Sequence, residues 1–541
     1  MSQPSILVAG AGPAGLILAI ILLKNGVPVR LIDKAATYPI GSRGAGVQPR
    51  TLELYDILGV LPEFEKVADT TCPVRRMYGL KDGVEVVLKE GPVFQRVEPT
   101  PGTPHANPVA LSQDVHEEIL RSYLHTLGGA VELSTELRSF EQSPDHVVAQ
   151  IVKNGVVESA RFDWLVGADG VHSCVRKQLG LSFLGETKEE QHVLVGDIVV
   201  EGLEREFWHY WIPQGKMLVL RPGTAASNGF RFAFTGGPEQ WKQTPPTRTE
   251  FIKEFHAVTG RRDVRFGQMT WLSSFKPSMR MVDQFGRGRV FVAGDAAHCH
   301  SPTGGQGLNS SVQDAANLGW KLALVARGRA PAALLASYTE ERRPVIAQML
   351  QLTTALHEKT AAQVAAGAVE GDAWQRGGAL GMLGVNARGA IVLGAGAGAG
   401  ANTGAGAYDA AAGGVQGGYR APDAPGLAGA APRLFALFGP AAHTALVFGG
   451  DAAAHAAVAG ALEAWPHGTV RAVLVRKAGA AAEETPFGEV VEDRAGHAYA
   501  EYVPGAAEGA LTVVVVRPDG VVGAVIPDVE DIARYGSLIF G

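Results

Sequence analysis

The sequence predicts an α/β chain with a parallel-sheet domain, an antiparallel sheet interleaved with it, and a smaller C-terminal α/β unit. Three observations predict it. Buried strands that run into glycine turns and then helices stand at Ile6–Gly15 and again at Val290–Asn309. The segment from about 190 to 288 alternates apolar with polar residues and is rich in aromatics, the pattern of half-buried strands. Beyond a Gly/Ala-rich stretch at 394–418, strand and helix patterns resume. A chain of 541 residues holds about three domains.

Composition narrows the class. Apolar residues make up 46% and charged residues 19%, enough to bury a large core and too apolar for a disordered chain. The net charge of −6 gives no cationic excess for phosphate backbones, so nucleic acid is not an expected partner. The three cysteines, Cys72, Cys174 and Cys299, form no CxxC pair, which argues against a zinc ribbon or a disulfide scaffold. Ser5–Leu23 carries no charge over 19 positions, close to membrane-spanning length. Gly10, Gly12, Pro13 and Gly15 interrupt that run, and Met1–Pro4 holds no basic residue, so it reads as strand, turn and helix rather than a span or signal peptide. The expectation is a soluble, cytoplasmic protein without a membrane partner.

The elements follow in order. Val27–Ile32 is a second buried strand ending at Asp33, and Arg50–Leu58 is a helix stopped by Gly59. Residues 72–112 read as strands and loops, with a turn at Lys81-Asp82-Gly83. Gln113–Leu127 is a helix closed by Gly128-Gly129, and Trp164–Ala168 is a short strand running into Asp169-Gly170. Arg289–Ala293 returns to a buried strand; helices follow at about Gln306–Arg327 and Ala332–Ala361. The Gly/Ala stretch 394–418 has little side chain to bury and reads as a flexible linker. Beyond Pro432, strands at Ala445–Phe448, Ala472–Val475, Leu511–Val516 and Val521–Ile526 precede a helix at Asp528–Tyr535.

The chemistry begins at the first glycine turn. Gly10, Gly12 and Gly15 form a GxGxxG motif between strand and helix: the first permits the tight turn, the second a close approach of pyrophosphate, the third helix packing. The helix opens at Pro13, which has no N–H of its own but is favoured at that place, and from Ala14 its start offers unpaired N–H groups to an anion. Asp33, followed by Lys34, lies 18 residues after Gly15, where an acid accepts hydrogen bonds from ribose hydroxyls. Such an acid disfavours a 2′-phosphate, so FAD or NAD is expected there rather than NADP. A second Rossmann-like element, Gly294-Asp295, leads through Pro302, Gly305 and Gly307 into a helix, and Gly167-Ala-Asp169-Gly170 supplies a third motif.

These three motifs, in this order, resemble those of the FAD-dependent aromatic hydroxylases, the single-component flavoprotein monooxygenases. The branch of phenol hydroxylase, pentachlorophenol monooxygenase and hydroxyphenylpropionate hydroxylase is the most similar in layout. The likeness covers residues 5–350 strongly and the remainder more weakly. It implies a discontinuous Rossmann-like FAD-binding domain at 1–74, 113–189 and 289–390, and a substrate-binding sheet domain at 75–112 and 190–288. A Gly/Ala-rich linker at 391–431 and a thioredoxin-like C-terminal domain at 432–541 complete it, the latter marked by the Arg517-Pro518-Asp519-Gly520 turn. That domain contains no cysteine, so dithiol chemistry is excluded and a role in packing or homodimer formation is expected.

The resemblance also assigns residues. Gly10, Gly12 and Gly15 cradle the ADP part of FAD and Asp33 holds its ribose. Arg43 stands beside the flavin, and Gln113 reaches the cofactor from a helix start. Asp169 belongs to a motif tied to FAD and NAD(P)H, and Asp295 contacts the ribityl chain. Gly305, Gly307, Leu308 and Asn309 face the isoalloxazine edge, and Pro302 faces the substrate. The implied reaction transfers hydride from NAD(P)H, with NADPH favoured, to FAD; a flavin C4a-hydroperoxide formed with dioxygen then hydroxylates a phenolic ring.

The group that deprotonates the phenol is left open, with His209, Tyr210 and His300 as candidates by location; His298 reads as structural. Adjacent His298-Cys299-His300 cannot converge on one tetrahedral metal, so no metal is expected. Trp208, Tyr210 and Trp211 are candidates for an aromatic substrate pocket, and the aromatics around Phe207–Trp211 and Phe230–Phe234 favour an apolar one. Arg221 and Arg231 read as sheet-edge or flavin contacts rather than a carboxylate clamp. Three other readings are a polyketide-tailoring oxygenase or oxidase, a flavin-dependent halogenase, suggested by Trp208–Pro213, and a non-enzymatic flavin-binding protein.

Overall fold

The computed structural model describes residues 5–541 apart from 42–43, 45, 214, 224–228, 243, 370–377, 388, 394–405, 410–412, 481–483 and 508. The strand Ile6–Ala9 is buried along its whole length and lies between two parallel neighbours, Trp164–Gly167 and Val29–Ile32. With Val290–Val292, Gly286–Arg287 and Val131–Glu132 they make a six-stranded sheet, parallel except at Gly286–Arg287. Buried on both faces, such strands read as unbroken apolar runs. The helices Pro13–Lys24 and Gly307–Ala326 pack against each other over this core.

The second sheet has seven strands, in the order Arg265–Phe275, Val193–Glu201, Gly229–Thr235, Met217–Pro222, Phe207–Trp211, Val74–Lys81 and Val84–Pro92. All pairs are antiparallel but one: Phe207–Trp211 runs parallel to Val74–Lys81, joining two distant chain segments. The Asp82-Gly83 turn adopts positive φ at both residues, as a tight hairpin requires.

Sequence reading missed the helix Arg248–Thr259, which covers one face of this sheet. Its signals are a Thr247–Glu250 capping box and the apolar pair Phe251 and Phe255 one turn apart. Phe230, Phe232 and Phe234 cluster with that helix, so these aromatics are spent largely on its packing. A three-stranded meander at Thr135–Gln142, Val147–Lys153 and Val156–Phe162 was also missed. The 288/289 boundary needs revision as well. Ser278–Val282 pairs with Phe183–Thr187 and with His298–Cys299 in a separate small sheet, while Gly286–Arg287 joins the six-stranded one.

The C-terminal sheet has the order Leu427–Gly429, Glu489–Asp493, Val470–Lys477, His443–Phe448, Thr512–Val516, Val522–Ile526. His443–Phe448 and Val470–Lys477 are joined by the helix Ala452–Glu463 and run parallel, as does Glu489–Asp493 beside them, whereas Leu427–Gly429 is antiparallel at the edge; Thr512–Val516 and Val522–Ile526 form an antiparallel hairpin, and the helix Glu530–Phe540 ends the unit. The expected linker is corrected where it is described. Tyr419, Ala421 and Ala424 are buried, Leu393 bridges to Ala524, and Arg420 bridges to Val521. Gly394–Gly400, the most repetitive part, lies outside the described residues.

The Arg517–Gly520 turn inserts into the first domain. Arg517 pairs with Glu341, Lys321 donates to the same carboxylate at 2.8 Å, and Trp320 Nε1 donates to Asp519 Oδ2 at 3.1 Å. All of these side chains are buried, so this unit is docked through charge as well as through apolar contact. No helix among the described residues is long and apolar enough to cross a membrane.

Candidate active site

One cavity of about 2340 Å³ runs from the first glycine turn to the seven-stranded sheet. Gly10 sits at its start with φ +105°, and a Cβ there would lie 2.2 Å from the Ala168 carbonyl oxygen, so only glycine fits. Gly12 differs: a Cβ there would meet no protein atom within 4 Å. It is the N-cap of the helix Pro13–Lys24, and no side chain caps that end. Pro13 at the first helical position has no N–H to offer, and the Ala14 N–H of the first turn opens onto the cavity, where an anion complements the helix dipole.

Asp33 closes the turn from the next strand. Its Oδ2 accepts from Ala11 N–H and its Oδ1 from Ala35 N–H, both at 2.9 Å. Lys34, exposed, and Gln113, at the start of the helix Gln113–Thr126, stand in the same wall. Asp169 Oδ2 accepts from the backbone N–H groups of Cys174 at 2.7 Å and Val175 at 3.2 Å, which caps a short helix. Its Oδ1 is buried without a protein partner, and the residue lines the cavity. An orphaned carboxylate oxygen, an open Gly12 and an uncapped helix start fit a bound dinucleotide with hydroxyls and a pyrophosphate.

The second glycine element forms the adjoining wall. Asp295 projects from the turn Gly294–Ala296 into the cavity. That turn is held from behind by Asp314, whose Oδ2 accepts from Gly294 N–H at 3.0 Å and lies 2.7 Å from His298 Nε2, while Arg342 donates to Oδ1 at 2.8 Å. Burial raises the Asp314 proton affinity, but the charges of His298 and Arg342 outweigh it and hold the carboxylate below its usual range. His298 is fully buried and does not line the cavity. Pro302, Gly305, Gly307 and Leu308 do line it. Asn309 does not: its side chain donates to the Gly46 and Gly305 carbonyls and accepts from Gln48 N–H at 2.8 Å, tying two cavity loops together. Arg43 lies outside the described residues.

The sheet wall corrects two candidates. Successive side chains of a strand point to opposite faces. On Phe207–Trp211, Trp208 and Tyr210 line the cavity, whereas His209 and Trp211 face away. His209 donates from Nε2 to the Glu204 carbonyl at 2.7 Å and accepts the Tyr78 hydroxyl on Nδ1 at 2.6 Å. Trp211 donates to Glu85 at 2.5 Å and packs on Phe255. Neither belongs to the site.

His300 lines the cavity and donates from Nδ1 to the Ser301 carbonyl at 2.6 Å, which leaves Nε2 as an acceptor. Burial holds its pKa down at about 4, so it is neutral at physiological pH. His357, not identified from the sequence, lies in the cavity wall between Thr303 and Gln191, its Nε2 2.5 Å from the Gln191 side-chain oxygen. It stands inside a long helix with no motif around it. Arg75 and Arg221 also line the sheet wall. No group of three His, Cys, Asp or Glu suited to a metal ion occurs among the described residues.

Comparisons with known proteins agree with this geometry. A family model described as FAD binding domain matches residues 3–353. A flavin-dependent monooxygenase of Mycobacteroides abscessus is 40% identical over 364 residues, 66% of this chain and 74% of that protein. The 6-methylpretetramide 4-monooxygenase of Streptomyces rimosus is 37% identical over 354 residues, 65% of this chain and 61% of that protein. Among solved structures, a ternary complex of aklavinone-11 hydroxylase with FAD and aklavinone superposes with a TM-score of 0.80 at 25% identity, covering 100% of both chains.

Proposed function

This chain belongs to the FAD-binding-domain family of FAD-dependent aromatic monooxygenases, and on that premise we propose that it hydroxylates a multi-ring phenolic substrate with NAD(P)H and dioxygen. The observation that carries this reading is the continuity of the cavity from the Gly10–Gly15 turn to Trp208 and Tyr210. Its volume of about 2340 Å³ exceeds the roughly 300–1,000 Å³ of ordinary ligand pockets, room for a dinucleotide and a large substrate together. Relatives whose names specify methylpretetramide and aklavinone favour a polyketide-sized phenol over a simple one.

Bound FAD supplies the dioxygen activation that no side chain can provide. The chain's own residues do the rest. The helix start beyond Gly12 takes the pyrophosphate, and Asp33 takes the ribose. The orphaned oxygen of Asp169, with Asp295 and Gln113, accepts or donates hydrogen bonds along the cofactor. Gly305, Gly307 and Leu308 leave a flat approach for the isoalloxazine edge, and Pro302 faces the substrate with Trp208 and Tyr210. Tyr210 and His300 are the two original candidates positioned to accept or relay the phenolic proton. NADPH is the favoured reductant.

The C-terminal unit is read as thioredoxin-like, from its parallel strand–helix–strand half followed by an antiparallel hairpin and helix. Without cysteine it serves docking and assembly, with a homodimer as the proposed state. Rapid-mixing reduction of the FAD-loaded protein tests the enzymatic reading. NADPH is expected to reduce the flavin faster than NADH does, with a sharp acceleration on adding a multi-ring phenol. A flavin that neither nucleotide reduces, with or without a phenol, contradicts it.

A further inference from the structure

The sheet wall of the cavity carries a charge that oxygen transfer to a neutral phenol leaves unused. Trp208 and Arg75 are register partners on adjacent strands, so both face the cavity. On the other neighbouring strand the Arg221 guanidinium carbon lies 5.2 Å from the Trp208 ring centroid. Arg221 is in turn the register partner of Arg231. The two arginines differ in what they meet. Arg231 lies opposite Asp197 in register and 3.5 Å from its carboxylate. Arg221 has no hydrogen-bond or ion-pair partner among the described residues, and it lines the cavity. Burial, then the Arg231 charge, pulls its pKa down to about 10, which leaves it cationic at neutral pH.

Arg221 is half-buried, and the Asp197 carboxylate that Arg231 engages acts on it only at a distance, so an acidic ligand in the cavity is the partner its guanidinium lacks. Its planar fork matches a carboxylate or phosphate in bidentate geometry, and a lone ring contact does not saturate it. The geometry points to Arg221, beside Trp208 and Arg75, as the docking point for an acidic group of the aromatic substrate. This inference rests on the monooxygenase reading above and specifies its substrate class: a phenolic ring system bearing a carboxylate or a similarly acidic group. It revises the expectation of a purely apolar pocket. The same fork matches a phosphate of NAD(P)H, so the test separates these two sources.

The test uses the FAD-loaded enzyme without nucleotide and follows the flavin spectrum as 6-hydroxy-2-naphthoate or its methyl ester is added. The wild type is expected to bind the acid about tenfold or more tightly than the ester, with the margin shrinking as salt is raised. Arg221→Met is expected to remove that margin by weakening the acid alone, and Arg221→Lys to keep part of it. Equal FAD content in wild type and variants establishes that the site is intact. Absence of acid binding, or equal affinity for acid and ester in the wild type, overturns the inference. So does an Arg221→Met enzyme that keeps the preference for the acid while requiring more NADPH for flavin reduction, since that assigns the guanidinium to the nucleotide. The binding measurement needs no turnover, so a failure of the monooxygenase reading is scored separately, by the absence of hydroxylated product.

Discussion

Arg517 and Glu341 form a bidentate ion pair, Nη1 to Oε1 at 2.7 Å and Nη2 to Oε2 at 2.9 Å, with both side chains fully buried. The arginine belongs to the C-terminal unit and the glutamate to the helix Ala336–Ala366 of the first domain. Lys321, pulled down to about pH 8 by burial, and Asp519 complete a network that neither domain satisfies alone. This docking alters what truncation does. A chain ending near Gly394 is expected to lose stability and FAD together, instead of folding normally with only a changed assembly state. Arg517→Met leaves the Glu341 carboxylate short of a buried partner and should cost about 3–5 kcal/mol in denaturant unfolding. A variant within about 0.5 kcal/mol of wild type contradicts this account of the interface.

The same pair sets an acid response. Burial raises the Glu341 proton affinity, but Arg517 and Lys321 overcome it and bring its pKa from 4.5 to about 2. A carboxylate lowered in the folded state adds stability that is complete above its unfolded pKa and is lost as pH falls through the folded one. Asp314 acts in the same direction. Unfolding midpoints should therefore fall steeply between about pH 4.5 and 2, and Glu341→Gln should flatten that fall. An unchanged slope in Glu341→Gln would assign the acid response elsewhere.

Gly10 and Gly12 are expected to respond differently to alanine. At Gly10 the added carbon meets a backbone oxygen and a positive φ, so Gly10→Ala should destabilise the apoprotein by several kcal/mol. At Gly12 nothing in the protein opposes it, so Gly12→Ala should unfold at the wild-type midpoint yet bind FAD about tenfold or more weakly. Calorimetry with and without FAD reads both. Wild-type FAD affinity in Gly12→Ala would show that the cofactor does not approach this turn.

Two tryptophans three residues apart separate structure from specificity. Trp211→Ala should cost about 3–5 kcal/mol in the sheet core and leave the cavity lining intact. Trp208→Ala should change the phenol dependence of flavin reduction with a smaller loss of stability. Thermal unfolding beside reduction kinetics distinguishes them, and the opposite assignment would place the cavity on the other face of the sheet.

Much of the cofactor side was legible because its chemistry is local. A strand, a glycine turn and a helix start are contiguous, so Gly10–Ala14 and Asp33, read from their spacing, and Asp169 and Asp295, assigned by the resemblance, all border the cavity; Gly15 does not line it and instead packs against the Gly10 carbonyl. Substrate-side residues depend on which face of a strand points inward, and composition alone is silent about that. Treating Trp208–Trp211 as one aromatic cluster ignored the two-residue period that turns His209 and Trp211 outward. Asn309 sits in a motif beside the flavin edge, yet its amide is consumed by Gly46, Gly305 and Gln48. Arg75 and His357 entered the site through long-range pairing and helix packing, which leave no contiguous signature. The Gly/Ala stretch suggested a free tether because glycine and alanine carry little side chain. Its flanks are instead fixed by backbone bridges to the C-terminal hairpin.

The most direct test of the central claim follows oxygen itself. The FAD-loaded enzyme is incubated with NADPH, a panel of multi-ring phenols and isotopically heavy dioxygen in ordinary water, and products are weighed by mass spectrometry. The predicted result is a phenol product carrying one heavy oxygen atom, formed only when NADPH and FAD are both present. A product whose added oxygen comes from water, or NADPH oxidation that yields hydrogen peroxide and no oxygenated product with every phenol, contradicts a monooxygenase acting on this substrate class.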